Sequence, residues 1–165
     1  MVRILAATDF SEEGMPVLDF AASMVRQCGG KMYLLHVVEP CAINAAGVLT
    51  AADIGFYLPD GMLQSTDEEC AGRQLLAAAD ARAKKLAEDI RKRVGIPIYG
   101  KAEQADDIVE CVHAFCTRHH VDMLVIGNRH HSLLTSILLG NTAEQLMRAA
   151  KIPVTVVPCA PSITR

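Results

Sequence analysis

The stretch VIGNRHHSLLTSILLGNTAEQL, Val125 to Leu146, holds the residues best suited to grip an anion. Gly127 closes an apolar run, and glycine can take backbone angles closed to other residues, which lets a loop turn tightly beneath a ligand. Gly140, Asn141 and Thr142 open an amphipathic stretch, and the first amides and dipole of a helix favour negative charge. The side chains of Asn141 and Thr142 add hydrogen-bond donors, and Arg129 offers a guanidinium fork to a phosphate. Asp9, after the apolar run RILAA, supplies a carboxylate suited to ribose hydroxyls or an adenine amino group. A plainer reading makes Gly127 a turn residue and Asn141 an N-cap.

Other reactive groups read as structural. His36 lies within an apolar run and reads as a core histidine. Asp106 and Asp107 cap a following helix and complement its dipole rather than forming a catalytic pair. The six cysteines include no Cys-x-x-Cys pair, and they read as reduced, buried, small hydrophobes. Cys111, His113 and Cys116 suggest a metal site, but on a helix Cys111 and Cys116 point to different faces, so no metal is expected. There is neither a G-x-G-x-x-G after the first run nor a G-x-x-x-x-G-K-[ST] motif, and no nucleophile elbow.

The elements that must place these residues follow from periodicity. Arg3 to Ala7, Lys31 to Val38, the IPIYG run, VDMLVIG and IPVTVVP read as five strands. Between them lie helical patterns: one capped by Ser11 and ending at Gly29-Gly30, one from Glu68 to Val94, one from Asp106 to His119 and one from Asn141 to Ala150. The third strand, weakened by Pro97, belongs near an edge, and the fourth, apolar on both faces, near the centre. Residues 39–67 are too long for an ordinary connection and read as a lid, a dimer contact or an insertion. Such alternation means right-handed crossovers and a parallel sheet covered on both sides. Ligands of these sheets sit outside the carboxyl ends of the strands, where strand order reverses. Here those ends are Thr8-Asp9, Val37-Val38 and Gly127-Asn128; if strands one and four are neighbours, Asp9 and Gly127 flank one crevice.

Composition narrows the partners. A chain of 165 residues fits a single α/β domain over its whole length. Sixteen basic against nineteen acidic side chains give a formal charge of −3, which offers no footprint for nucleic acid or an anionic membrane. No run approaches a bilayer span and the N-terminus is not a signal peptide, so a cytoplasmic protein is expected.

ILAATDFSEE, LLHVVEP, VDMLVIGNRHH and LLGNTAEQLMRAAKIPVTVVP, in that order, resemble the universal stress protein family over nearly the whole chain. That family's nucleotide loop is Gly, two residues, Gly, nine residues, Gly, then Ser or Thr; here the spacing is kept, with His130 and Asn141 in two of the four signature places. The resemblance implies a Rossmann-like open sheet of five strands in the order 3-2-1-4-5. It also implies a homodimer through the last strand, at Val154 and Val156, and, in one branch of the family, bound ATP or AMP, with Mg as a possible companion of the phosphates. Ala7, Asp9 and the backbone of Val37 would then serve adenine and ribose, and Gly127, Arg129, His130, Gly140, Asn141 and Thr142 the phosphates. The function so implied is an adenylate-binding stress-response or signalling module that presents a changed surface to protein partners. A nucleotide-free dimer acting through protein contacts is the alternative. A slow ATP hydrolase would need a positioned base, and only Asp9 and His130 offer one.

Overall fold

A computed structural model describes residues 1–39, 68–128 and 141–159, with side chains given there except at 68–71 and 141. Five parallel strands form its sheet: β1 (Val2–Ala7), β2 (Gly30–Val38), β3 (Ile98–Gln104), β4 (Met123–Asn128) and β5 (Val154–Pro158). They lie in the order β3-β2-β1-β4-β5, as the family resemblance implies. Four helices connect them: α1 (Met15–Cys28), α2 (Glu68–Val94), α3 (Ile108–His119) and α4 (Asn141–Ala149).

Strand alternation sends side chains to two cores. Ile4, Ala6, Met32, Leu34 and Val125 pack under α1 and α2, with Val17, Ala21, Ala79, Ala83 and Ile90. Leu5, Leu35, Leu124 and Ile126 pack on the opposite face against α3 and α4, through Val112, Phe115, Ala143 and Leu146. Burial on both faces explains why these strands read as continuous apolar runs. The chain builds outward from β1 to β3, then returns to lay β4 against the other side of β1. Strand order therefore reverses between β1 and β4.

The two edges of the sheet differ. In a parallel ladder alternate residues of an edge strand turn their amides away from the neighbour. Met32 donates to Pro97 O and Ala105 donates to Val38 O, so Ala102 points its N–H outward, where Asp80 of α2 accepts it at 3.1 Å. Lys84 and Lys101 hold that carboxylate at 2.7 and 3.2 Å. Gly100 lets the α2 backbone press directly on β3, because a Cβ there would overlap the Ala83 carbonyl. On β5, Leu124 donates to Pro153 O and Cys159 to Asn128 O, which leaves Val154 and Val156 facing outward. Among the described residues nothing accepts from their amides.

Several expectations shift at the boundaries. Ser11 caps a 3-10 turn, Glu12–Gly14, rather than the helix itself; its Oγ accepts from Gly14 N at 3.1 Å, and α1 starts after it with Pro16 in its first turn. The third strand runs beyond IPIYG to Gln104, and it is an edge strand as expected. β4 lies between β1 and β5. Asp107 caps α3, accepting from Val109 N and Glu110 N at 2.8 and 3.0 Å, so the helix begins at Ile108 rather than at 106. The last helix ends one residue early, at Ala149. Cys111, Cys116 and Cys159 are buried, but Cys28, in the final turn of α1, is exposed, contrary to the expectation of burial. It is in phase with the buried Ala21 and Val25, but residues 26–29 are all exposed, so the last turn of α1 runs beyond the core. Residues 40–67 lie outside the described residues. No described helix is long and apolar enough to cross a membrane.

Candidate functional site

A cleft of about 370 Å³ opens at the carboxyl ends of β1, β2 and β4, where strand order reverses. Its apolar wall is Ala7, Leu35, Val37, Ile108, Val112 and Ile126, and Thr142, Ala143 and Leu146 of α4 close one side. Thr8, Asp9, His36 and Gly127 line the rest, with Gly14, Val17 and Cys159 behind. The volume suits a small ligand, and an apolar wall with a few placed polar groups is the usual composition of such a pocket.

Asp9 is fixed by its own turn. Its Oδ1 accepts from Ser11 N at 3.0 Å and from Ser11 Oγ at 2.7 Å. Between them Phe10 adopts a left-handed backbone, φ 62°, a conformation that costs a bulky residue roughly 1–3 kcal/mol. Phe10 N donates to Thr8 Oγ1 at 3.0 Å, and Arg82 of α2 donates to Phe10 O at 3.2 Å.

His36 is buried, as expected of a core histidine, but it also forms part of the cleft wall. Its Nδ1 lies 2.8 Å from Thr8 O, and since a carbonyl only accepts, that nitrogen carries the proton. Burial lowers the His36 pKa from its ordinary 6.5, against the raising effects of the Thr8 bond and of Asp9. The unfolded chain then binds the proton more readily than the native one, so this residue's contribution to stability is complete above about pH 6.5 and is lost as pH falls through the lower folded value. Melts from pH 7.5 to 5.5 should accordingly show a shallower loss of stability in His36→Gln than in the parent chain. Parallel pH profiles would refute this.

Gly127 departs from its expected role. It lies inside β4, paired with Val157, and is not among the described glycines of positive φ, so it makes no special turn. Its hydrogen is needed for packing: a Cβ would stand 2.7 Å from Cys159 Sγ and 3.1 Å from Val17 Cγ2. The described cleft lining contains a single formally charged side chain, Asp9, and no group of three or more potential metal ligands occurs among the described residues.

A sequence model of the universal stress protein family matches residues 1–158. The chain belongs to that family. A universal stress protein A homolog from Haemophilus influenzae is 26% identical over 156 residues, 94% of this chain and 95% of that one. Among solved structures, the universal stress protein UspA from Lactobacillus plantarum superposes with a TM-score of 0.67 at 17% identity, covering 94% of this chain and 97% of that one. The universal stress protein from Archaeoglobus fulgidus in complex with dAMP gives a TM-score of 0.56 at 18% identity, over 94% and 97% of the two chains.

Of the positions that resemble this family's nucleotide residues, Ala7, Asp9, Val37, Gly127 and Thr142 all line the one cleft. Asn141 opens α4, its side chain undescribed, and Arg129, His130 and Gly140 lie outside the described residues. Sequence reasoning did not select the apolar wall of Leu35, Ile108, Val112 and Ile126. The signal was available in their periodicity, but that pattern marks burial and does not say which buried residues end at the mouth of a crevice.

Proposed function

We propose that this universal stress protein is an adenine-nucleotide-binding stress-response or signalling module that acts as a homodimer. The observation that carries the reading is the cleft, which brings an apolar slot, the Asp9 carboxylate and the start of α4 together at the reversal of strand order. The slot between Val37, Ile108 and Val112 suits a purine, and Asp9 suits the ribose hydroxyls. Amides at the start of α4, together with Arg129 and His130, would receive the phosphate. A Mg ion would rest chiefly on the phosphates themselves, since Asp9 is the one carboxylate in the described lining. The dAMP complex of the Archaeoglobus relative supports the same ligand class. Saturating AMP or ATP should raise the melting temperature, by the equivalent of about 2.7 kcal/mol at one hundred times Kd. Mass spectrometry of the denatured supernatant of fresh protein should release the adenylate. No shift at millimolar nucleotide, with nothing recovered, would remove the reading.

One observation favours the alternative, a nucleotide-free dimer. The thiol of Cys159 occupies the space that a Cβ on Gly127 would need, so that glycine is accounted for by packing without any phosphate. The same thermal shifts decide between the two.

For the dimer, support comes from the unequal edges: α2 and Asp80 seal β3, whereas Val154 and Val156 leave β5 open to a second strand. Val156→Lys would set two ammonium groups beside the paired edges and should halve the mass measured by light scattering. An unchanged mass would locate the contact elsewhere.

A further inference from the structure

Asp9 reaches the cleft from a turn whose shape is held by a helix far away in sequence. The turn needs residue 10 in the left-handed region, where phenylalanine is rarely found and glycine or asparagine would be expected. Three elements converge on Phe10 and keep it there. Thr8, at the end of β1, accepts from its N–H at 3.0 Å. His36 of β2 stands against its ring, with centroids 4.3 Å apart. Arg82, from the middle of α2, donates to its carbonyl at 3.2 Å and places its guanidinium carbon 5.0 Å from the ring centroid.

Arg82 thus grips both ends of one residue, the carbonyl by a hydrogen bond and the ring by a cation–π contact. Both contacts are possible only when the Phe10 carbonyl and ring face α2. That orientation turns the chain so that Ser11 N and Ser11 Oγ meet Asp9 Oδ1 at 3.0 and 2.7 Å. We propose that Arg82 and Phe10 are positioning residues for the ligand-binding carboxylate: the Arg82 clamp on a left-handed Phe10 aims Asp9 at the vicinal hydroxyls of the bound sugar. The proposal rests on the nucleotide reading given above. It adds that specificity for those hydroxyls is set from α2, outside the cleft lining.

The test compares AMP with 2′,3′-dideoxy-AMP, which lacks both hydroxyls, by titration calorimetry on the full chain. The parent protein should prefer AMP by at least about tenfold, the scale of a hydrogen bond to a charged group. Asp9→Asn should erase most of that preference. Arg82→Met should erase it to a similar degree while leaving the dideoxy affinity within about twofold, because Arg82 does not itself line the cleft. Adding Arg82→Met to Asp9→Asn should cost nothing further, and Arg82→Lys should restore part of the preference. Phe10→Gly, which keeps the left-handed backbone accessible but gives up the ring, tests the clamp without removing a charge and should fall between Arg82→Met and the parent. An Arg82→Met protein that keeps the preference, or that weakens both ligands equally, would overturn the proposal while leaving the site reading intact. A parent protein that binds neither ligand would overturn the site reading and this inference with it, whereas one that binds both alike would overturn this inference and the ribose role of Asp9 while leaving nucleotide binding intact.

Discussion

Gly100→Ala is expected to destabilise the protein by roughly 3 kcal/mol or more, above the range of ordinary overpacking. The new methyl group would overlap the carbonyl of Ala83, with the amide of Lys84 at 2.8 Å. Side chains can rotate away from such a clash, but here the obstacle is helix backbone, and α2 has no local way to yield. It would have to lift as a unit from β3, thinning the contact of Ala79, Ala83 and Ala87 with Ile98 and Ala102. It would also carry Asp80 away from Ala102 N. A loss of this size is a large share of the 5–15 kcal/mol that holds a domain together, and in a chain of this length it lowers the melting temperature by roughly 6–12 °C. Urea melts give the test; an unchanged midpoint would mean that α2 slides freely over the strand.

Gly127→Ala comes next in expected size, at about 1–3 kcal/mol. Its added carbon would meet Cys159 Sγ at 2.7 Å and Val17 Cγ2 at 3.1 Å. Both are side-chain atoms, so the strain is repairable. Combining the change with Cys159→Ala removes the nearer atom and should return most of the lost stability, leaving the residue of the Val17 contact. This pair separates the two roles of the glycine. If the repaired double variant binds AMP as the parent does, Gly127 serves packing. If it is stable yet blind to nucleotide, the backbone there meets the ligand directly.

Much of the architecture could be read from residue order. Alternating short apolar runs and amphipathic stretches locate every described strand and α-helix, with errors of one or two residues at most ends, three at the start of α1 and four at the end of β3. Those errors have local causes. Ser11 is a capping residue, as its type suggested, but the sequence does not reveal that its turn is a separate 3-10 element ahead of Pro16. Asp106 and Asp107 look alike in a string, and only backbone geometry lets Asp107 reach Val109 N and Glu110 N. Cys28 has the helix phase of a buried residue, but α1 outruns the core in its last turn, and where a helix overhangs its sheet is not written in its periodicity. Strand order came through family resemblance, since periodicity says nothing of which strands are neighbours.

The site was legible in part. Asp9 and Gly127 were placed on one crevice by the rule for reversed strand order, and both line it. What Gly127 does there was not legible: a glycine required by close packing and one required by a turn are written with the same letter. Arg82 was invisible for a different reason. It acts on Phe10 across 72 positions of sequence, and it sits among arginines and lysines of an amphipathic helix where it looks like any solvent-facing cation.

The unequal margins of the sheet carry a consequence for assembly. A β-layer with two receptive borders can add units without end, which is the route to fibres. With Ala102 N bound by Asp80 and the α2 backbone pressed on Gly100, one border is already blocked near its centre from within the molecule. Joining through Val154 and Val156 would use up the other. Each copy would then have a valence of one, and association across the strands, in the hydrogen-bonding direction, would terminate at a pair.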